Sequence, residues 1–94
     1  MAKFYMFGKY SQEGLQGISA DRTKKAAKLI QELGGKIDSI HATLGPHDIV
    51  VLADFPGAAE AVQASIGINK LTGIAFQTAP ALPVEEFDRI AQKS

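Results

Sequence analysis

Leu44-Gly45-Pro46-His47-Asp48-Ile49-Val50-Val51-Leu52-Ala53 joins a polar turn to a run with no polar side chain from Ile49 to Ala53. The run is short and rich in β-branched residues, which favours a strand. Successive side chains of a strand point to opposite faces, so a strand that is apolar at every position needs cover on both sides. A chain of this length has material to cover only one. That mismatch implies self-association, and it puts His47 and Asp48 at the rim of whatever the association encloses.

Working outward, Lys3 to Tyr10 has the same two-faced character, with Phe4 and Met6 on one side and Tyr5 and Phe7 on the other. Ser11 to Ser19 contains Gly14 and Gly17 and few periodic apolar residues, and it reads as a long exposed loop. From Asp21 the period becomes helical: Thr23, Ala26, Ala27, Ile30 and Leu33 share a face, Ser19 or Asp21 supplies a cap, and Gly34-Gly35 supplies the stop. Lys36 to Leu44 alternates as a second strand, Gly45-Pro46 turns, and His47 to Phe55 returns as a third. Pro56 opens a helix that runs to Asn69, with Gly67 weakening its end. Gly73 to Ala79 is a fourth strand, and a last helix from Pro83 buries Phe87, Ile90 and Ala91.

Strand, helix, strand, strand, helix, strand is the α+β, ferredoxin-like βαββαβ arrangement: a four-stranded antiparallel sheet, helices on one face, and here an extra C-terminal helix. Right-handed crossovers put both main helices on one side and leave the other bare. Phe4 or Tyr5, Phe7, Val50, Val51, and Ile74 or Phe76 are expected on the bare side, and a twofold pairing of sheet against sheet would cover them. Residues 1–94 read as a single domain, since a chain of this size buries only roughly 60 to 70% of its unfolded surface.

Ten basic and ten acidic side chains balance, so no overall field draws in nucleic acid or an anionic membrane. The chain has no cysteine, which removes disulfide, thiolate and zinc-thiolate chemistry. No apolar run approaches the roughly 20 residues of a spanning helix, and Met1 leads straight into a strand, so a cytoplasmic location is expected.

His47 and Asp48 are the candidate catalytic residues, because imidazole titrates near neutral pH and an adjacent carboxylate can set its local charge. The plainer alternative is that Asp48 satisfies backbone groups of the turn while His47 is a half-exposed strand residue. Tyr5, Arg22 and His41 are candidate ligand-binding residues: a tyrosine on the bare face can point its hydroxyl into a cavity, and the hairpin can bring His41 near His47. No spacing of a zinc-type or helical metal motif is present, so no metal and no cofactor are expected. Gly14-Leu15-Gln16-Gly17 lacks the lysine and hydroxyl of a nucleotide-binding loop.

The order of elements, Gly34-Gly35 after the first helix, the Thr-Leu-Gly-x-x-Asp hairpin at Thr43 to Asp48, and the Glu86-Phe87 helix resemble the GYD domain family. Gly45 and Asp48 match the glycine and the acid of its signature, while His47 stands where tyrosine is usual. Gly14-Leu15 and Arg22 also resemble the family pattern. The resemblance implies a relative of dimeric α/β-barrel proteins with no settled activity. Three readings follow. The first is a homo-oligomer binding a small molecule in a pocket near residues 45–48, formed between the sheet and the helices or at the dimer seam, with cofactor-free acid–base catalysis by His47 as its strongest form. The second is a non-catalytic oligomerisation or sensing module. The third is metal or haem binding through His41 and His47.

Overall fold

The computed structural model describes all residues, Met1–Ser94. The elements are β1 (Ala2–Tyr10), α1 (Gln12–Gln16), α2 (Ala20–Glu32), β2 (Lys36–Ala42), β3 (Ile49–Phe55), α3 (Ala58–Thr72), β4 (Ile74–Ala81) and α4 (Val84–Lys93). The strands lie in the order β2-β3-β1-β4, and every neighbouring pair is antiparallel. This is the ferredoxin-like α+β arrangement that the order of patterns predicts, with a short helix added after β1 and another helix at the C-terminus.

Both central strands, β1 and β3, send alternate side chains into the core. Phe4, Met6, Val51, Ala53 and Phe55 meet Ile30 of α2 and Ala61, Ala64 and Ile68 of α3. Phe4 and Phe55 pack edge to face with centroids 6.0 Å apart. Helix α2 starts at Ser19, whose hydroxyl accepts the Arg22 backbone N–H at 3.0 Å. It ends where Gly34 turns to φ +79°, a left-handed conformation that costs glycine little.

Several expectations are corrected. Ser11 to Ser19 is not all loop: Ser11 caps the short helix α1 by accepting the Gly14 N–H, and its own N–H donates to the Gly73 carbonyl. Five residues are too few to show a helical period. Strand β2 stops at Ala42 and β3 starts at Ile49, so His47 and Asp48 belong to a six-residue loop, 43–48, rather than to a strand. Helix α3 continues past Asn69 to Thr72 with Gly67 inside it, because a Cβ at Gly67 would lie 2.7 Å from Leu29 Cδ2 and the bare glycine lets α2 and α3 close together.

The uncovered face also has a different membership from the one expected. Phe4, Val51, Ile74 and Phe76 turn toward the helices, while Tyr5, Phe7, Val50 and Leu52 are on the open side. Finally, α4 buries none of its side chains, including Phe87, Ile90 and Ala91. No helix is long and apolar enough to cross a membrane.

Gly8, on β1, sits where three side chains crowd the backbone: an added Cβ would lie 2.5 Å from Ile49 Cγ2, 2.8 Å from Ile74 Cγ2 and 2.9 Å from Phe76 Cε1. Two of the three are β-branched and stiff, so the neighbours yield poorly. Gly8→Ala is expected to destabilise the fold by about 1–3 kcal/mol, read as a lower urea midpoint at unchanged slope. An unchanged midpoint would show that this part of the core is loosely packed.

Candidate functional site

The open face is built by register. One row across the sheet reads Ser39, Leu52, Tyr5, Ala79 and the next reads His41, Val50, Phe7, Gln77. A bulge between Ile37 and Ser39 carries Asp38 out of step, which brings Ser39 and His41 to this face. Tyr5 and Phe7 stack with centroids 5.8 Å apart. Charges sit at the two ends. At one, Lys3 bridges Asp38 and Asp54; at the other, Lys9 reaches Asp48 at 3.4 Å. The Lys3 ammonium holds Asp38 below the usual carboxylate range, and the two acids in turn raise Lys3.

Loop 43–48 is fixed to the sheet by hydrogen bonds. Thr43 donates through its N–H to the Asp48 carbonyl at 2.8 Å and through its hydroxyl to the His47 carbonyl at 2.7 Å. The Asp48 N–H donates to Gly8 O at 2.8 Å, extending the β1–β3 ladder by one rung. Gly45 at φ +135° makes the bend, in a region that only glycine enters without strain. So held, the loop lays the His47 ring on Phe7, with centroids 5.0 Å apart and planes tilted by 37°. Beside them lies an open cleft of about 320 Å³, to which Phe7, Lys9, Pro46, His47 and Gln77 contribute.

Of the five candidate residues, Tyr5, His41 and His47 are on the open face. His41 is two strands from Phe7 in the same row, roughly 10 Å away at the spacing of neighbouring strands. Asp48 points elsewhere. Its carboxylate accepts the Tyr10 backbone N–H at 2.9 Å, which is the main reason its pKa falls below the ordinary 3.8, with Lys9 adding to the effect. Arg22 lies on the helix side: its Nη1 donates to Gly14 O at 2.6 Å, and its guanidinium stands 5.7 Å from the centre of the Tyr10 ring. No three His, Asp or Glu side chains converge as a metal-holding group, so the metal reading has no geometry behind it.

A second, more enclosed space lies between α2 and the sheet, one of the two places expected for a pocket, but away from the 43–48 loop. It is apolar, about 50 Å³, with Thr23, Ala26 and Ala27 on its roof and Ile40, Ile49 and Phe76 on its floor. The readable signal was the short side chains on the inner face of α2, which leave a gap against the bulky strand residues. Ligand sites run to about 300–1,000 Å³, so the cleft beside His47 has the room that this void lacks.

A family model described as GYD domain matches residues 4–91. Among solved structures, the chain is similar to the Mycobacterium tuberculosis leucine response regulatory protein (LrpA), at 10% identity and a TM-score of 0.57, covering 87% of this chain and 51% of that one. A structure described as a point mutant of Rv3291c matches at 8% identity and a TM-score of 0.58, over 88% of this chain and 51% of that chain. The chain thus spans about half the length of these structures, and at such identities the likeness is one of fold. No curated protein matches it.

Asp48 yields a signed pH prediction. A carboxyl whose folded pKa is depressed contributes stability above its unfolded value and loses that contribution as pH falls through the folded one. The melting temperature of the parent chain should exceed that of Asp48→Asn at neutral pH, and the gap should narrow below about pH 4. A gap independent of pH would mean that the carboxylate charge is not what holds the loop.

Proposed function

The chain belongs to the GYD domain family, and we propose that it is a self-associating domain that binds a small molecule at the seam where two open sheet faces meet, with His47 as the titratable group lining that seam. The observation that carries this reading is the ring ladder Tyr5, Phe7, His47 on a sheet face with no helix over it. Apolar side chains at the centre of a face with charged groups at its edges match the anatomy of protein interfaces. The charges at both ends have partners within the chain, Lys3 with Asp38 and Asp54 and Lys9 with Asp48.

A second copy laid on this face would roof the cleft beside His47. The cleft would then have apolar walls from Phe7 and a few polar groups, Lys9, His47 and Gln77, which is the usual composition of a ligand pocket. The two ring nitrogens of the imidazole can donate and accept hydrogen bonds, so it suits a ligand with a polar, hydrogen-bonding end. Asp48, occupied by the Tyr10 N–H, serves the loop in this reading. It acts on His47 only through backbone placement.

A sensing module without any reaction is the second reading. What favours it is the fold likeness to a protein named as a leucine response regulator. Under it, ligand changes the number of subunits and no product forms.

Native mass spectrometry of the purified chain is expected to show an even number of subunits. Phe7→Lys places a charge in the centre of the seam and should weaken association about thirtyfold, the effect of losing roughly 2 kcal/mol at an interface hot spot. His47→Ala should keep the subunit count and lose retained small molecules. A monomeric parent chain at high concentration would overturn the proposal, and a ligand retained equally by both variants would move the site elsewhere.

A further inference from the structure

We propose that α4 docks, in a second copy of this chain, on the outer face of α3. The anomaly lies in both helices. Val84, Phe87, Ile90 and Ala91 form one apolar side of α4. Yet Phe87 is 61% exposed, no side chain of the helix is buried, and α4 packs substantially against no other element. The molecule is 47 Å along its longest axis. The radius of gyration is 14.1 Å, against about 12.4 Å for a compact domain of this length. An amphipathic helix held away from its own body is placed to meet another surface.

Helix α3 offers that surface. Ala61, Ala64, Ile68 and Thr72 face the sheet and are buried. On the side away from them Val62 and Ile66, one turn apart, are 54% and 53% exposed, and Ala59, one turn before Val62, is exposed as well. A helix with apolar residues on two sides belongs between two layers, and α3 has only one.

Charge selects between the possible occupants. Helical spacing places Asp88 along one edge of the α4 apolar side and Glu86, with Lys93 one heptad on, along the other. On α3, Lys70 continues the line of Val62 and Ile66, and with Lys25 and Lys28 of α2 it borders the adjoining groove. Glu32 borders the same groove, so three lysines and one glutamate leave it net basic, while two acids and one lysine leave the α4 rim net acidic. The same acids oppose docking on a lipid surface, which selects for lysine and arginine at those edges.

The connection selects the second copy over the same chain. Only Leu82 and Pro83 separate β4 from α4. The three Cα steps from Ala81 to Val84 reach about 10–11 Å only when fully extended, which the roughly 10 Å thickness of the helix layer uses up, and α4 packs substantially against no element of its own chain. Two copies that exchange α4 reciprocally satisfy both helices in a closed twofold pair. The contact is independent of the sheet-face seam.

The chain contains no cysteine, so an introduced pair reports the contact without background. Ile66→Cys with Phe87→Cys in one full-length chain should form, on mild oxidation, a disulfide-linked dimer on a non-reducing gel. A disulfide-linked monomer would show α4 folded on its own α3 and overturn the proposal, as would no cross-link at all. In solution, Phe87→Ser with Ile90→Ser, and separately Val62→Glu, should each weaken self-association at least tenfold by native mass spectrometry. The loss should persist in a Phe7→Lys background, where the sheet seam is already broken. If association there is unchanged by the α4 substitutions, the helix contact is wrong while the seam still stands. Co-sedimentation of the parent chain with phosphatidylserine vesicles, abolished by Phe87→Ser, would also overturn the proposal.

Discussion

The two central strands carry apolar side chains on both faces, and the chain has helices enough to cover one. Everything else in the molecule is arranged around that constraint. On β1, Phe4 and Met6 go inward and become core, while Tyr5 and Phe7 go outward and stack on each other. On β3, Val51, Ala53 and Phe55 go inward while Val50 and Leu52 do not. The pattern differs from the usual half-solvated antiparallel sheet, whose outer face alternates to polar residues. Leaving such a face to water forfeits burial worth about 25 cal/mol for each square ångström. A second layer of protein is the available remedy, since the molecule's own helices are already committed to the other side.

The order of the elements was legible because α2 keeps a helical period, β2 alternates, and the short apolar runs of β1 and β3 are bounded by turn residues. What pattern alone does not carry is register. The choice between Phe4 and Tyr5, or between Ile74 and Phe76, as the outward residue depends on which side the helices cross, and a strand with apolar residues at every position is silent on that point. The bulge at Asp38 is equally invisible, although it decides that His41 faces outward. The C-terminal helix shows another limit. Amphipathic spacing says that Phe87 and Ile90 share a face, and it does not say whose surface that face meets.

For the candidate site, sequence reasoning singled out residues 47 and 48 but read them as the start of a strand, where the structure has a loop. If His47 and Asp48 had begun a strand, their side chains would have faced opposite sides. In the loop the separation is achieved differently: Asp48 is captured by the Tyr10 N–H, the loop is tied by Thr43, and the His47 ring is delivered onto Phe7. Local hydrogen bonding of short polar side chains overrides strand alternation at turns, which is why adjacency in sequence said little about chemistry. Arg22, flagged for its resemblance to the family pattern, ties α1 to α2 through Gly14 O and lies against Tyr10, contacts that no periodicity encodes.

Two uncovered apolar surfaces, the sheet face and the α3–α4 pair, lie on different sides of one small domain. Such exposure ordinarily invites unselective aggregation. Here the charges counter it. The chain is neutral overall, so long-range repulsion does not oppose association. Ion pairs stand at the ends of the sheet face, and the rim of α4 is net acidic where the groove beside α3 is net basic. Exposed pairs of this kind add little attraction, but a misaligned copy would set like charge against like, and that penalty fixes register. In the association proposed above, apolar area supplies the drive and the placement of charge supplies the choice of which surfaces meet.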